Sequence, residues 1–330
     1  MIVRWQLLAA AIAAWAGFSM FPMNGAIAQQ DWPQKPVRII VPYATGGTSD
    51  LFGRLIAPEL AGAFKQSFVV ENIGGAAGGL GAQRVAGSAP DGYTLMISDV
   101  GSHVVNPLVF KSNALFDTMR DFTQIALLGG PPMVLAVNSA LPISDLKDFV
   151  AYVKAQPNGL NWGSPGFGSQ GHLIGEIFRS AGKLNMVHIN YKGAGPAIID
   201  LQGNQIPAAF AVLSSVAPGI KSGKLRVLAS TSEQRLGGFP DLPTFAELGR
   251  RDLTLMAWFA LSAPANLPKP IVARLNAEAR RAIKTPAMQA RFADLGIVSV
   301  DMDAAAFGRF VQLEIDRYAP IVEALPKEVP

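Results

Sequence analysis

The stretch at residues 163–172, GSPGFGSQGH, holds the residue types best suited to chemistry in this chain. Gly166, Gly168 and Gly171 form a G-x-G-x-x-G spacing, the pattern that lets a backbone close on a pyrophosphate. Ser169 and His172 stand three residues apart, and a serine beside a histidine is how a hydroxyl nucleophile is activated. A third use of the same residues is to hold a small anion on backbone N–H groups at the start of a helix. Each use needs partners elsewhere in the chain.

A dinucleotide site needs an acid about 20 residues on, to hold the ribose. No Asp or Glu lies between Glu176 and Asp200, and the next apolar strand ends in Asn190-Tyr191-Lys192. Gly223-Lys224 is followed by Leu225, which has no hydroxyl for a magnesium ion. A hydrolase of the nucleophile-elbow type needs G-x-S-x-G. Ser164 is preceded by Trp162-Gly163 and Ser169 by Phe167-Gly168, so neither fits. Ser169 then reads as a helix N-cap and His172 as a packed or cleft-lining ring. An exported α/β hydrolase using Ser169 and His172 is kept as the alternative. The three histidines, His103, His172 and His188, lack metal-binding spacing, and the chain has no cysteine. No metal and no cofactor are expected.

The anion reading finds support in two further loops of the same design, YATGGTSD (residues 43–50) and GGAAGGLGA (residues 74–82). Glycines allow close backbone approach, Ser and Thr add hydroxyl donors, and a helix start supplies unpaired N–H groups. One helix end contributes only about 0.3–1 kcal/mol to holding an anion, so several must converge. Asp50 keeps a structural reading as an acid in a first helical turn.

The elements that must position these loops follow a clear order. VRIIVPY, SFVVEN and GYTLMIS (ending at Ser98) read as buried strands, with a helix after the first that carries Leu51, Phe52, Leu55, Ile56 and Leu60 on one face. The order then restarts with FTQIALLGG and PMVLAVN. A helix capped by Ser144 follows, then GLNWGS running into the opening loop, and then a helix with Leu173, Ile174, Ile177 and Phe178 as its buried stripe. NMVHINYKG, IPAAFAVLS and KLRVLAST are further strands, and LTLMAWFALSAP carries the chain back to two closing helices. The expected fold is α/β with two lobes, each a mainly parallel sheet flanked by helices, with the ligand in the cleft between them. Lobe 1 is expected over residues 29–124 and 251–330, and lobe 2 over 125–250.

Composition agrees. Half of the 330 residues are hydrophobic, enough for one large or two medium domains. The net charge of +4 is spread without basic runs among aromatics, which argues against nucleic-acid binding. Arg4 is the one charge in the first 30 residues, LLAAAIAAWAGF follows, and AIA precedes Gln29. This is the pattern of a secretory leader (residues 1–28), with cleavage expected near Ala28; its apolar core is shorter than the roughly 20 residues of a span. The mature chain is expected to be soluble and exported, starting near Gln29.

Eight ordered segments resemble the periplasmic receptors of tripartite tricarboxylate transporters, often called Bug-type receptors. Among them are WPQKPVRIIVPYATGGTSD, VVENIGGAAGGLGAQRVAGSAPDGYTLMI, LNWGSPGFGSQGHLIGEIF and VHINYKGAGPAIIDLQGNQI. The resemblance implies a two-lobed periplasmic-binding-protein fold (type II-like), capture of a small organic acid and delivery to membrane permease subunits, by a monomer that is not an enzyme. It implies a carboxylate held by the loops of Tyr43, Thr45, Gly47, Thr48 and Asp50 and of Ser164, Gly166, Gly168, Ser169 and His172. Ser98, Tyr191 and Ala211 complete the expected set. The chain departs from the family at Thr45 and Asn190, where proline is common, and at Ala211, where the family often has Asp. The loss of that carboxylate argues against an amine at the ligand's far end and leaves room for a neutral, apolar or second acidic end.

Overall fold

The computed structural model describes residues 32–324; the expected leader lies outside them. The fold below belongs to the unit Pro33–Pro330. The first sheet grows from β1 (Val37–Val41), β2 (Phe68–Asn72), β3 (Thr94–Asp99) and β4 (Phe122–Gly129). Between them run α1 (Thr48–Phe64), α2 (Gly79–Ala86) and two single turns, α3 (Asn106–Val109) and α4 (Thr118–Asp121). The second sheet takes β5 (Met133–Asn138), β6 (Leu160–Ser164), β7 (Met186–Asn190), β8 (Ala208–Val212) and β9 (Leu225–Ser230). Its helices are α5 (Leu146–Lys154), α6 (Gln170–Gly182), α7 (Ala194–Gln202) and α8 (Leu213–Lys221). The chain then returns through β10 (Phe259–Pro264) and ends in α9 (Lys269–Ile283), α10 (Pro286–Asp294) and α11 (Ala304–Glu323).

Both sheets are five-stranded, in the orders β2-β1-β3-β10-β4 and β7-β6-β8-β5-β9. They are mixed rather than mainly parallel. β1 pairs parallel with β2 and β3, but β10 pairs antiparallel with β3 and β4. The second sheet repeats this, with β6 parallel to β7 and β8 and β5 antiparallel to β8 and β9. The cause is the crossing between lobes. β5 and β10 each start at the cleft and run away from it, whereas β1, β3, β6 and β8 end there.

The first sheet keeps the whole of β4, which pairs with β10 over its length. The chain therefore stays in the first sheet as far as Gly129. The two crossings lie side by side, with Pro132 bridged to Met256. A Cβ on Gly130 would lie 1.8 Å from the Ala257 carbonyl oxygen, so only glycine lets the crossings touch. The side chain of Thr231 ties them further, accepting the Met133 N–H at 3.0 Å and donating to the Leu255 carbonyl at 2.6 Å.

Each lobe has its own core. Lobe 1 buries Ile40, Met96, Val85 and Phe122 together. Phe52 of α1 stacks on Phe259 of β10 at 4.8 Å, so α1 covers the central strands as its apolar stripe requires. Lobe 2 buries Val134, Leu201, Ala211, Leu213 and Val216. Some local expectations change. α5 is capped by Asp145, which accepts the Asp148 N–H at 2.8 Å, rather than by Ser144. Asp145 stands directly before the first helical residue, within reach of the first-turn N–H groups. α8 was hidden in the sequence because its first residues continue the apolar run of β8. The closing helices are three, because Thr285 caps a separate α10.

Candidate functional site

Strands that end at the cleft hand over to helices that begin there. α1 starts after Gly47, α6 after Ser169, α7 after Gly193 and α8 after Val212. First turns from all four line one cavity of about 450 Å³, counted out to its mouth. Gly47, Thr48 and Ser49 come from α1, Ser169, Gln170 and Gly171 from α6, Ala194 from α7, and Val212 and Ser215 from α8. Apolar wall is added by Met133, Pro165, Ala257 and Phe259. No lysine or arginine is among the lining residues. Three of the four helix starts have no side-chain cap. Their first turns have N–H groups without partners inside the helix, and the aligned dipoles add positive potential. Such an arrangement can hold an anion on backbone groups.

The lobes are closed over it. Thr48 Oγ1 of lobe 1 bonds Ser214 Oγ at 2.8 Å and Ser215 Oγ at 2.7 Å, both on lobe 2. Ala44 N–H donates to the Lys192 carbonyl at 3.1 Å. Gln170 Nε2 donates to the Met256 carbonyl at 3.1 Å and to Tyr318 Oη at 2.8 Å. Gly195 permits the loop of residues 43–50 to lie on α7, since a Cβ there would sit 2.1 Å from the Thr45 carbonyl oxygen.

The cavity also holds an acid that the sequence reading passed over. Asp99, the last residue of β3, lines it together with Gly101 and Tyr43. Asp99 Oδ1 accepts Tyr43 Oη–H at 3.1 Å and the Ser102 N–H at 2.8 Å, and Oδ2 accepts Ser49 Oγ–H at 2.9 Å. Burial pushes the Asp99 carboxyl above its ordinary range, and these donors only partly oppose it. The Tyr43 phenol is raised well above 10 by burial first and by the Asp99 charge second. The signal that could have found Asp99 is its place at the carboxyl end of a central strand, where ligands bind in open α/β sheets. Ser98, expected at the site, is its neighbour and faces the other way, as alternation along a strand demands. Its hydroxyl bonds Ser262 Oγ at 2.6 Å inside the sheet.

Of the expected residues, Tyr43, Gly47, Thr48 and Ser169 line the cavity. The others stand around it. Thr45 is exposed on the outer side of its loop. Asp50 lies behind the first turn of α1 and accepts the Gly46 N–H at 3.1 Å and Arg54 Nε–H at 3.0 Å. Burial works to raise its pKa, but the Arg54 and Gly46 hydrogen bonds outweigh it and hold the carboxyl below its usual range. Ser164 Oγ bonds His188 Nε2 at 2.7 Å beneath the loop. Gly166 and Gly168 adopt φ of +145° and +80°. These two turns bring the loop round, and a Cβ on Gly168 would lie 3.1 Å from the Phe110 ring. Tyr191 donates to Asp200 Oδ2 at 2.7 Å, and burial and that bond push its phenol up to about 12. Ala211 is buried in the lobe 2 core opposite Val134, not in the cavity wall.

Ser169 and His172 meet as a cap. Ser169 Oγ accepts the His172 backbone N–H at 3.2 Å, while His172 Nδ1 accepts the Gly168 N–H at 3.3 Å. The imidazole packs against Phe167 at 4.5 Å and His188 at 4.6 Å and stacks with Trp162 at 6.3 Å. The cap hydrogen bond goes to the backbone, so the hydroxyl is used to start α6.

Residues 52–326 match the family model described as "Tripartite tricarboxylate transporter family receptor". The chain belongs to this family. It is 34% identical to Protein BugT of Bordetella pertussis, over 90% of this chain and 91% of that one. A Rhodopseudomonas palustris protein solved with adipate shares 31% identity and a TM-score of 0.85, covering 88% of this chain and 97% of the other. MatC from the same organism, solved with bound malate, gives 32% and 0.84, covering 88% and 100%. The family and these neighbours make the chain a solute-binding receptor with the periplasmic-binding-protein fold, and not an enzyme. The hydrolase alternative finds no support in them.

Proposed function

We propose that this receptor captures a small organic acid in the periplasm, with the acid's carboxylate seated on the first turns of α1, α6, α7 and α8. The convergence of four helix starts on one cavity without a basic side chain carries this reading. The adipate and malate of the two R. palustris relatives support it. Binding holds the lobes together through Thr48, Ser214, Ser215 and Gln170, and the closed form is the one offered to the membrane permease subunits of a tripartite tricarboxylate-type transporter. The working form is a monomer freed of its leader near Ala28.

A ligand that binds only the folded state raises the melting temperature as its concentration passes Kd. A thermal-shift screen of mono-, di- and tricarboxylates and aromatic acids at millimolar concentration is expected to find at least one stabilising acid. Silence across the whole screen overturns the reading.

A further inference from the structure

Asp99 makes the cavity bipolar. Its wall carries four helix starts that favour negative charge and one buried carboxylate that opposes it. Among the described residues Asp99 has hydrogen-bond donors but no cation: the Tyr43 phenol, the Ser49 hydroxyl and the Ser102 backbone N–H, with the Ser102 hydroxyl beside it. The Asp99 carboxylate thus stands in the cavity wall without a charge partner among the described residues. Gly101 keeps the approach open. A Cβ there would lie 3.0 Å from Asp99 Oδ1, 2.9 Å from Tyr43 Oη and 3.4 Å from the Gln170 nitrogen.

We infer that the ligand carries a hydrogen-bond donor, an ammonium or an amide, at the end opposite its carboxylate, and that the Asp99 carboxylate accepts it. This rests on the reading that the carboxylate sits on the helix starts. A second carboxylate on the ligand would meet an acceptor-only group of like charge. A plain apolar end would offer the buried Asp99 carboxylate no donor. The absence of an acid at Ala211 pointed away from an amine, but that side chain is in the lobe 2 core, and Asp99 restores a carboxylate from the opposite lobe.

Calorimetric titration of the mature chain with γ-aminobutyrate, glutaramate, glutarate and butyrate separates the end groups at matched length. Homologous sets with shorter and longer spacers cover the unknown span. The donor-ended acids are expected to bind roughly ten- to a hundredfold more tightly than the diacid and the monoacid. Asp99→Asn is expected to remove the preference for the ammonium over the diacid. Equal or tighter binding of the diacid or monoacid by the wild-type chain overturns the inference; a protonated Asp99 that donates to a second carboxylate would give that ranking. An unchanged ranking in Asp99→Asn overturns it too. If that variant does not fold, the wild-type ranking decides alone. Binding of diacids or monoacids without donor preference leaves the carboxylate reading standing, whereas silence of every acid removes both.

Discussion

Two clusters of polar and aromatic side chains meet near the first turn of α6, and they differ in what they face. One consists of Trp162, Phe167, His172 and His188, ring against ring within lobe 2. The other consists of Tyr43, Ser49, Asp99 and Ser102, hydroxyl and N–H against carboxylate in lobe 1. The first holds the residues whose types advertise chemistry, yet it packs behind the loop and shapes it. The second opens on the cavity. Burial has opposite effects on the two. It holds His188 neutral, with a pKa of about 3, and it raises Asp99. Residue type therefore says less about function here than which side of the loop a group occupies.

The largest effect tests whether the ring cluster is scaffold. Trp162 is fully buried, and a Cβ on Gly175 would lie 2.1 Å from its ring, so the indole fills its space tightly. Trp162→Ala is expected to cost about 3–5 kcal/mol in urea unfolding while leaving the ranking of acids unchanged. A changed ranking would place the ring cluster in the site and break the distinction between the clusters.

Acid unfolding isolates a second effect. His103, fully buried beside Phe116 and Phe122, is held by burial at a pKa of about 3. Its two ring nitrogens have no hydrogen-bond partner among the described residues. The folded-state pKa lies below the unfolded one, so its stability contribution is present above about pH 6.5 and is lost as pH falls, at up to about 1.4 kcal/mol per pH unit. His188 acts in the same direction. Asp99 acts in the opposite one, because a raised carboxyl loses its contribution as pH rises through its folded pKa. His103→Leu is expected to recover about 2 kcal/mol near pH 5 relative to neutral pH, read as a flatter stability curve. An unchanged slope would show that the histidine is protonated in the folded chain.

The smallest effect sharpens the second cluster. Tyr43→Phe removes one of the donors to Asp99 and is expected to cost about 1–2 kcal/mol of stability. Unlike Trp162→Ala, it is expected to alter the ranking of acids by end group. Calorimetry on the two variants side by side reads the contrast directly.

Much of this was legible in the chain. Buried strands announce themselves as apolar runs. Ser169 in front of an amphipathic pattern reads as a cap, and it caps. The Gly-rich loops after β1 and β6 mark the two sides of the cavity because close approach needs glycine. Less legible were positions whose meaning depends on orientation. Ser98 and Asp99 are adjacent, and only the pleat decides which of them lines the cavity. Ala211 matched a family position beside the cleft, but it packs inward against Val134 and the lobe 2 core.

By itself the sequence determined the two α/β lobes, the loops that open on the cleft, the family and the absence of thiol chemistry. These follow from local pattern: periodicity, turn residues and composition. The tertiary structure decided that half the strand pairings are antiparallel, that four helix starts share one cavity, and that Asp99 faces them while His172 does not. Such facts depend on how the chain crosses between lobes and which side of each strand meets the cleft. They arise from contacts between residues far apart in sequence, which no local window contains.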